Sequence, residues 1–405
     1  MRMLDGIAVS EYAKRRERVL KALKGSVGIV FGGDHAPPLR GDWDPDFDFL
    51  YLTGITDEVG AMVFFDPTAP DPDKRVILML RPPNPEMDIW DGFREPLGKA
   101  LREKTGFSSV MRTAMLPNLM TQAAKRTRSL SCLHPLASYT SAVSKDYELF
   151  QKVAARIPGC SIEDKSELLT QVRQVKSPAE IKQIRAAIAA TKIGIERLWS
   201  HVTPGVSERT LHQELIRGFE EGGSTRVAFD PIVGSGSNAV VLHYKQNDMP
   251  TKDGDLMVLD CGASINGYSA DITRAFPVNG RFSDDQRSVF NAVLKAEEAA
   301  IKAVKPGARM MDADKAARAV LEKAGFGDNM PHGIGHHLGL ETHDPGLYHE
   351  ELKPGMVVTI EPGVYLPDKG IGVRIEDDIL VTKTGNENLS KSIKKSAAEM
   401  ERVSL

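Results

Sequence analysis

Residues 254–262 read GDLMVLDCG and residues 355–363 read GMVVTIEPG. Both carry glycine, acid and glycine spaced six and two apart: Gly254, Asp260 and Gly262 in one, Gly355, Glu361 and Gly363 in the other. Between the first glycine and the acid runs an apolar stretch, Leu256–Leu259 or Met356–Ile360. Each nonapeptide reads as a glycine turn, a buried strand and a carboxylate at the strand's end. A return strand follows, to about Phe276 in the first case and about Val381 in the second, and each carries a further acid, Asp271 or Glu376.

The segments ahead of the two hairpins repeat as well. Ser177-Pro178-Ala179-Glu180 combines an N-cap serine, a proline at the first helical position and a glutamate three residues after the cap. Ile181, Ile184, Ile188, Ile195 and Leu198 continue at helical spacing, which predicts a helix over 178–200. A second helix is expected from about Ser207, with Leu211, Leu215 and Phe219 on one face. Ser283 with Gln286 opens the equivalent helix, carrying Val289, Val293, Ala296 and Ala300, and a helix near Met311–Lys323 precedes the second hairpin. Two such helix–helix–hairpin units, related by a pseudo-twofold axis, bring four carboxylates to one central point.

An acid at the end of an apolar strand is costly to bury, so such groups are paired or ligate metal. Taken singly, Asp260 or Glu361 reads equally well as a strand-end acid facing water. Four acids in register read as a metal cage. Carboxylates with an imidazole suit manganese, cobalt or zinc, and neighbouring carboxylates cannot all ionise in a buried cleft without a cation. Of ten histidines, five lie between 332 and 349: His332, His336, His337, His343 and His349. The run Pro331–Gly339 holds too many glycines for a helix, which excludes the helical HExxH zinc pattern. It reads as extended chain with His332, Ile334 and His336 on one face. One histidine of this group completes the cage; the others orient substrate or stabilise a charged intermediate. Arg374, two residues before Glu376, shares its strand face and is placed to offset acid charge, although the spacing fits a surface arginine equally. Gly234–Asn238 lacks the lysine of a phosphate loop and reads as a turn into a strand over 239–243.

Length and composition frame this reading. A chain of 405 residues exceeds one ordinary core and implies two domains. Apolar content of 41% and charged content of 26% describe a soluble globular protein. A net charge of −3 offers no electrostatic case for nucleic acid or an anionic membrane. Three cysteines make no disulfide framework and point to a reducing compartment. The first twenty residues are charged and helix-like, without a signal peptide's apolar core, and no run reaches membrane-spanning length. A cytoplasmic location is expected. The first ~160 residues alternate strand-like runs (Val27–Phe31, Phe49–Leu52, Ala61–Phe65, Arg75–Leu80) with helical ones such as Glu11–Leu23. Asp44, Asp46 and Asp48 read as a solvated loop before the Phe49 strand. The polar connector Ser161–Lys176 marks a boundary, giving an α/β N-terminal domain over 1–165 and a C-terminal domain over 166–405 in an α+β chain.

The segments VLDCGASINGYSADITRAFPVNG (258–280), HGIGHHLGLETHD (332–344), TIEPGVYLP (359–367) and GIGVRIEDDILVTKTGNENLS (370–390) resemble the motifs of the pita-bread metallopeptidase family. The resemblance covers roughly 177–405, and within the family it is strongest to the Xaa-Pro aminopeptidase (aminopeptidase P) and prolidase branch. FDFLYLTGITDEVGAMVFF (47–65) is similar to that branch's N-terminal domain. The resemblance implies a ligand set for two divalent metals. Asp260 holds one ion, Asp271 and Glu376 bridge both, and His336 and Glu361 complete the shell of the other. Manganese is the family expectation, with cobalt and zinc also accepted. Glu361 is implied to be the acid–base residue. His243, His332 and His343 match outer histidines that contact substrate or the tetrahedral intermediate, and Tyr365 and Arg374 match hydrogen-bonding groups around the centre. Asp48 and Trp90 are similar to N-terminal-domain residues that border a neighbouring subunit's active site, which implies a homodimer or homotetramer and moves Asp48 out of the solvated loop.

The implied reaction is release of the N-terminal residue from peptides with proline in second position, by attack of a metal-bridging hydroxide on the bond before proline. Glu361 passes the proton to the leaving proline nitrogen, which as a tertiary amide must gain one before it departs. A prolidase acting on Xaa-Pro dipeptides uses the same ligands. The link Leu366–Val373 carries no arginine cap for a dipeptide carboxylate, which favours the aminopeptidase. Methionine aminopeptidases usually lack so large an N-terminal domain. A metal-free pita-bread binding module would have lost the acidic ligands, and all five are present here.

Overall fold

The computed structural model describes residues 1–33, 45–91, 93–136, 140 and 142–403. It divides into two compact units, Met1–Arg173 and Gln174–Leu405.

The N-terminal unit is built on one six-stranded sheet with strand order β4-β3-β2-β1-β5-β6. Its elements are α1 (Val9–Ala22), β1 (Val27–Phe31), α2 (Phe47–Thr53), β2 (Met62–Phe65), β3 (Val76–Leu80), α3 (Pro85–Asp91), α4 (Lys99–Thr105), β4 (Ser109–Arg112), α5 (Leu116–Thr127), β5 (Ser129–Cys132), α6 (Lys145–Ala154), β6 (Ser161–Asp164) and α7 (Glu167–Arg173). The sheet is mixed: β2 runs antiparallel to β1 and β3, while the β3–β4, β1–β5 and β5–β6 pairs are parallel. Its core packs Val27, Ile29, Phe64, Ile77 and Met79 against Met120, Ala123 and Phe150. The unit ends after α7, which packs on α1, so its edge lies beyond residue 165.

Phe49–Leu52, expected as a strand, belongs to helix α2. Asp46 caps that helix, its side chain accepting from the backbone N–H groups of Asp48 and Phe49 at 2.9 and 3.2 Å. Phe49 through Thr53 are all buried, so neither a period of two nor one of 3.6 stands out in the sequence. The solvated-loop reading fails with it. Asp48 lies in the first turn of α2 and its carboxylate pairs with Arg173 Nη1 at 2.8 Å. Asp44 lies outside the described residues.

The C-terminal unit follows the doubled plan. Helices α8 (Pro178–Trp199) and α9 (Glu208–Glu221) pack on each other, as do α10 (Asp284–Ala303) and α11 (Met310–Lys323). Both α8 and α10 open on complete capping boxes, Ser177 with Glu180 and Ser283 with Gln286. Ile184, Ile188, Ile195 and Leu198 of α8 are buried, as are Val289, Val293, Ala296 and Ala300 of α10. Each of the larger side chains contributes about 1.5–3 kcal/mol of hydrophobic stabilisation.

After α9 come β7 (Arg226–Val227), β8 (Ile232–Ser235), β9 (Leu256–Cys261), β10 (Ala263–Ile265), β11 (Tyr268–Ser269) and β12 (Ile272–Pro277). After α11 come β13 (Val357–Ile360), β14 (Gly363–Leu366), β15 (Ile371–Arg374), β16 (Asp377–Val381) and β17 (Asn386–Asn388). In the first hairpin β9 and β12 form the base and β10 and β11 the tip; in the second, β13 and β16 form the base and β14 and β15 the tip. The acids stand where base meets tip. Gly262 permits that joint, because a Cβ there would lie 1.8 Å from the Ala270 carbonyl oxygen.

The segment 239–243, expected as a strand, is not one. The strand β8 already contains Gly234, and Gly236–Val240 forms a 3-10 turn. The reason is Glu208, fully buried at the start of α9. Its carboxylate accepts from Ser235 N (2.8 Å), Ser235 Oγ (2.8 Å), Asn238 Nδ2 (3.1 Å), Tyr244 Oη (2.8 Å) and Met249 N (3.1 Å), which gathers 235–249 into a loop. Among the described residues no helix is long and apolar enough to cross a membrane.

Candidate metal centre

Strand pairing lines up the central groups. Asp260 on β9 stands opposite Thr273 on β12. Thr273 in turn forms an antiparallel bridge with Glu376. Ile360 pairs with Asp377, so Glu361 follows one step beyond that pair, across from Glu376. The row Asp260–Thr273–Glu376–Glu361 therefore runs across both hairpins. Asp271, two residues before Thr273, faces the same side of its strand.

His336 enters from a segment lying along β13. Thr359 N donates to the His336 carbonyl and Glu361 N to the Ile334 carbonyl, both at 2.8 Å, and Leu338 N donates to Val357 O at 3.0 Å. Gly335, at φ +153°, makes this approach possible, since a Cβ would lie 2.1 Å from Thr359 O. The His336 ring has Nδ1 3.0 Å from the His337 carbonyl. A carbonyl only accepts, so Nδ1 carries the proton and Nε2 presents its lone pair. Nε2 lies 3.4 Å from Asp271 Oδ2 and 3.6 Å from Glu361 Oε1. One ligand atom each from Asp271, His336 and Glu376 fall within 4.8 Å of one another.

The remaining contacts leave acid oxygens aimed inward. Asp260 Oδ2 accepts from Arg374 Nη2 at 2.6 Å, and Glu376 Oε2 accepts from Thr273 Oγ1 at 2.7 Å. Asp260 Oδ1 and Glu376 Oε1 are buried with no hydrogen-bond partner among the described residues. Buried carboxylate oxygens on either side of Thr273, beside a neutral imidazole and a third acid, are the donors a divalent cation needs.

Electrostatics agree. Burial, reinforced by Glu376, Asp260, Asp378 and Glu361, pushes Asp271 well above the usual carboxylate range. Burial and then Glu361 and Asp260 do the same to Glu376, against the Thr273 hydroxyl and Arg374. Burial pushes Glu361 up to about 7, with Arg374 opposing and Asp260 adding. Burial, helped by His343, brings His336 down to about 4. Without a cation the cluster holds protons; a cation would replace them.

Around it runs a polar relay. Arg374 Nη1 donates to Tyr365 Oη at 2.7 Å, and Arg374 Nε to Thr273 Oγ1 at 3.3 Å. His332 has Nδ1 2.8 Å from the Gly333 carbonyl, so its Nε2, 3.1 Å from Tyr365 Oη, accepts the tyrosine proton. Burial lowers the His332 pKa, which keeps the ring neutral for that role. The His343 ring packs against His336 at a 43° tilt, with ring centroids 4.0 Å apart. His243 is exposed on the loop gathered by Glu208, close enough to His343 to lower its pKa further after burial has done so. In the N-terminal unit, Trp90 on α3 is 83% exposed, beside exposed Ile89 and Phe93.

Several participants were not singled out from sequence. Thr273 lies two residues after Asp271 on the same strand face, a signal that alternation offered. Asp377 and Asp378 extend Glu376 into three consecutive acids in an otherwise apolar run, also legible. Glu208 carried no signal, because its donors come from residues up to 41 positions away.

The family model for metallopeptidase family M24 matches residues 182–383, and that for the aminopeptidase P N-terminal domain matches residues 12–131. The chain is 32% identical to the Xaa-Pro aminopeptidase of Escherichia coli, the alignment covering 98% of each. It is also 32% identical to the mitochondrial intermediate cleaving peptidase 55 of Arabidopsis thaliana, covering 98% of this chain and 83% of that one. Among solved structures, Pseudomonas aeruginosa aminopeptidase PepP superposes with a TM-score of 0.87 at 30% identity, and E. coli aminopeptidase P with the inhibitor Pro-Leu with 0.86 at 29%; each alignment covers 98% of both chains. Doubled helix–helix–hairpin units, acids meeting at the joint and likeness along the whole length have one reading: the chain belongs to metallopeptidase family M24, with a pita-bread domain preceded by an N-terminal domain of the aminopeptidase P type.

Proposed function

We propose that this chain is a two-metal Xaa-Pro aminopeptidase, releasing the N-terminal residue from peptides whose second residue is proline. The observation that carries the reading is the pair of buried oxygens of Asp260 and Glu376, without a hydrogen-bond partner among the described residues, next to Asp271 and His336. The whole-length likeness to Xaa-Pro aminopeptidases supports the substrate class. Asp260, Asp271, His336, Glu361 and Glu376 would hold two divalent cations, with manganese the expected metal. Bound there, such ions supply Lewis acidity and acidify water to a nucleophile at neutral pH.

This chain's residues do the rest. Glu361 would take a proton from the attacking water and return it to the leaving proline nitrogen. Arg374 compensates Asp260 and aligns Tyr365, which in turn orients His332 toward the substrate. His243 and His343 contribute donors toward the carbonyl oxygen as charge builds on it. Exposed Trp90 with Ile89 and Phe93 forms an apolar surface that a second copy would cover, with Asp48 bordering that copy's site. Three free cysteines suit a reducing, cytoplasmic setting.

The test is a manganese-supplemented assay with Xaa-Pro and Xaa-Pro-Xaa peptides in parallel. Cleavage of the tripeptides at the bond before proline is expected. Turnover confined to Xaa-Pro dipeptides would make the enzyme a prolidase, and no metal-dependent turnover of either would refute the reading.

A further inference from the structure

The Arg274 guanidinium is buried directly behind the row of central acids, and each of its five N–H groups has an acceptor. Nη1 donates to the carbonyls of Thr273 (2.8 Å) and Glu376 (2.7 Å). Nη2 donates to Asp377 Oδ1 (2.7 Å) and the Ile393 carbonyl (3.2 Å), and Nε to the Lys394 carbonyl (2.8 Å). One side chain thus grips three separate segments: the return strands of both hairpins and the chain at 393–394. The grip is braced from the other side. Lys395 Nζ reaches Asp377 Oδ2 and Glu297 Oε1, both at 2.6 Å, and Asn388 Nδ2 also donates to Asp377 Oδ2 at 2.6 Å.

The position of this fork matters because of what it must discriminate. Residues 376–378 are three consecutive acids, Glu376, Asp377 and Asp378. Alternation sends neighbouring residues to opposite faces, so a slip of one residue would exchange the acid that faces the centre. Among the described residues one backbone bridge, Thr273 to Glu376, ties the two hairpins at this point, with side-chain contacts from Arg374 to Asp260 and from Asp271 N to Asp378 Oδ2 beside it; one backbone bridge by itself specifies register weakly. Asp377 is the acid that Arg274 captures on the opposite face, while Nη1 clamps both carbonyls of the bridge. An apolar core of the same volume could match this network in stability. It could not tell these acids apart.

We propose that Arg274 is a positioning residue of the metal centre: it sets the register between the hairpins so that Glu376, and not Asp377, faces Asp271 and His336, and it recruits Ile393–Lys395 as its brace. The inference rests on reading the cluster as a metal site. Lysine in its place offers one point charge where a planar fork spans three segments, so the conservative change does not substitute.

The experiment measures Mn²⁺ binding by calorimetry and the visible absorption of bound Co²⁺ on the full-length protein, its Arg274→Lys variant and its Lys395→Met variant, with circular dichroism confirming the fold. Arg274→Lys is expected to weaken Mn²⁺ at least about tenfold and to alter the Co²⁺ band intensities, as loss of outer partners does. Lys395→Met, which leaves Arg274 in place, is expected to weaken Mn²⁺ by about threefold, below the usual outer-partner range. A folded Arg274→Lys protein with unchanged Kd and unchanged Co²⁺ spectrum, even if it melts earlier, overturns the proposal while leaving the metal centre intact. If that variant does not fold, Lys395→Met decides: native binding and spectrum overturn the proposal, weakened binding supports it. Failure of the unaltered protein to bind either metal would overturn both the proposal and the reading beneath it.

Discussion

Thr273 and Glu376 are joined twice, once by backbone and once by side chain: Glu376 N donates to the Thr273 carbonyl at 3.1 Å, and Thr273 Oγ1 donates to Glu376 Oε2 at 2.7 Å. The first contact couples the two hairpins. The second fixes which oxygen of Glu376 is left bare. Valine keeps the shape of threonine and the backbone bridge but removes the hydroxyl. Thr273→Val should therefore lower kcat/KM about 10–100-fold through looser Glu376 and Arg374, and Thr273→Ser should retain most activity. Steady-state kinetics at saturating Mn²⁺ check this; equal rates in both variants would count against the side-chain contact.

Glu361 is proposed both to ligate metal and to move the proton. Glu361→Ala should cut kcat by roughly two to four orders of magnitude, the range of a lost general acid–base group, and should lower bound metal measured by elemental analysis. Near-normal turnover in that variant would refute the assignment.

Arg374 serves Asp260, Tyr365 and Thr273 at once, at 2.6, 2.7 and 3.3 Å. An ammonium cannot hold all three in one plane. Arg374→Lys should reduce kcat by about tenfold or more, comparable to loss of an outer partner, while Tyr365→Phe removes the Oη contacts with Arg374 and His332 but leaves Arg374 on Asp260 and Thr273, and should cost less. The ranking of the two variants under identical metal loading is the measurement.

Removing metal should expose the protons the acids hold. His336, neutral in the folded protein, is still half protonated in the unfolded chain at its ordinary value of 6.5, so with His332, His337 and His343 it makes stability rise with pH until about pH 7.5. Glu361 is pushed up to about 7 and Glu297 to about 8, the latter by burial and then Asp377, so the folded metal-free protein binds more protons than the unfolded chain. Stability then falls as pH rises. The melting temperature of the metal-free protein should drop between about pH 7.5 and 8.5, above the histidine range, as Glu297 and the remaining Glu361 lose their protons. Mn²⁺ should flatten that drop by replacing the Glu361 proton, and its affinity should tighten over the same range. A metal-free melting temperature that rises with pH there would contradict the picture.

Much of this protein is legible in one dimension because its key signals are local or repeated. The capping boxes at Ser177 and Ser283 sit within four residues, and both helices begin where those residues say. The glycine–acid–glycine spacing recurs at 254–262 and 355–363, and an acid at the end of an apolar strand is too costly to be incidental twice. What failed was equally physical. Residues 49–53 are buried on every side, so no period distinguishes helix from strand, and the start of α2 is set by the Asp46 cap, whose bonds only the folded chain shows. The loop 236–249 follows from Glu208, whose partners are distant in sequence.

Sequence alone thus determined the ingredients: the doubled elements, the acids and histidines, and the chemistry those donors can support. Only the tertiary structure decided which oxygens stay bare, which imidazole nitrogen faces the acids and which of three consecutive acids points inward. Those choices depend on partners such as Arg274, Thr273 and the His337 carbonyl, whose positions become defined only when strands from separate parts of the chain pair in one register.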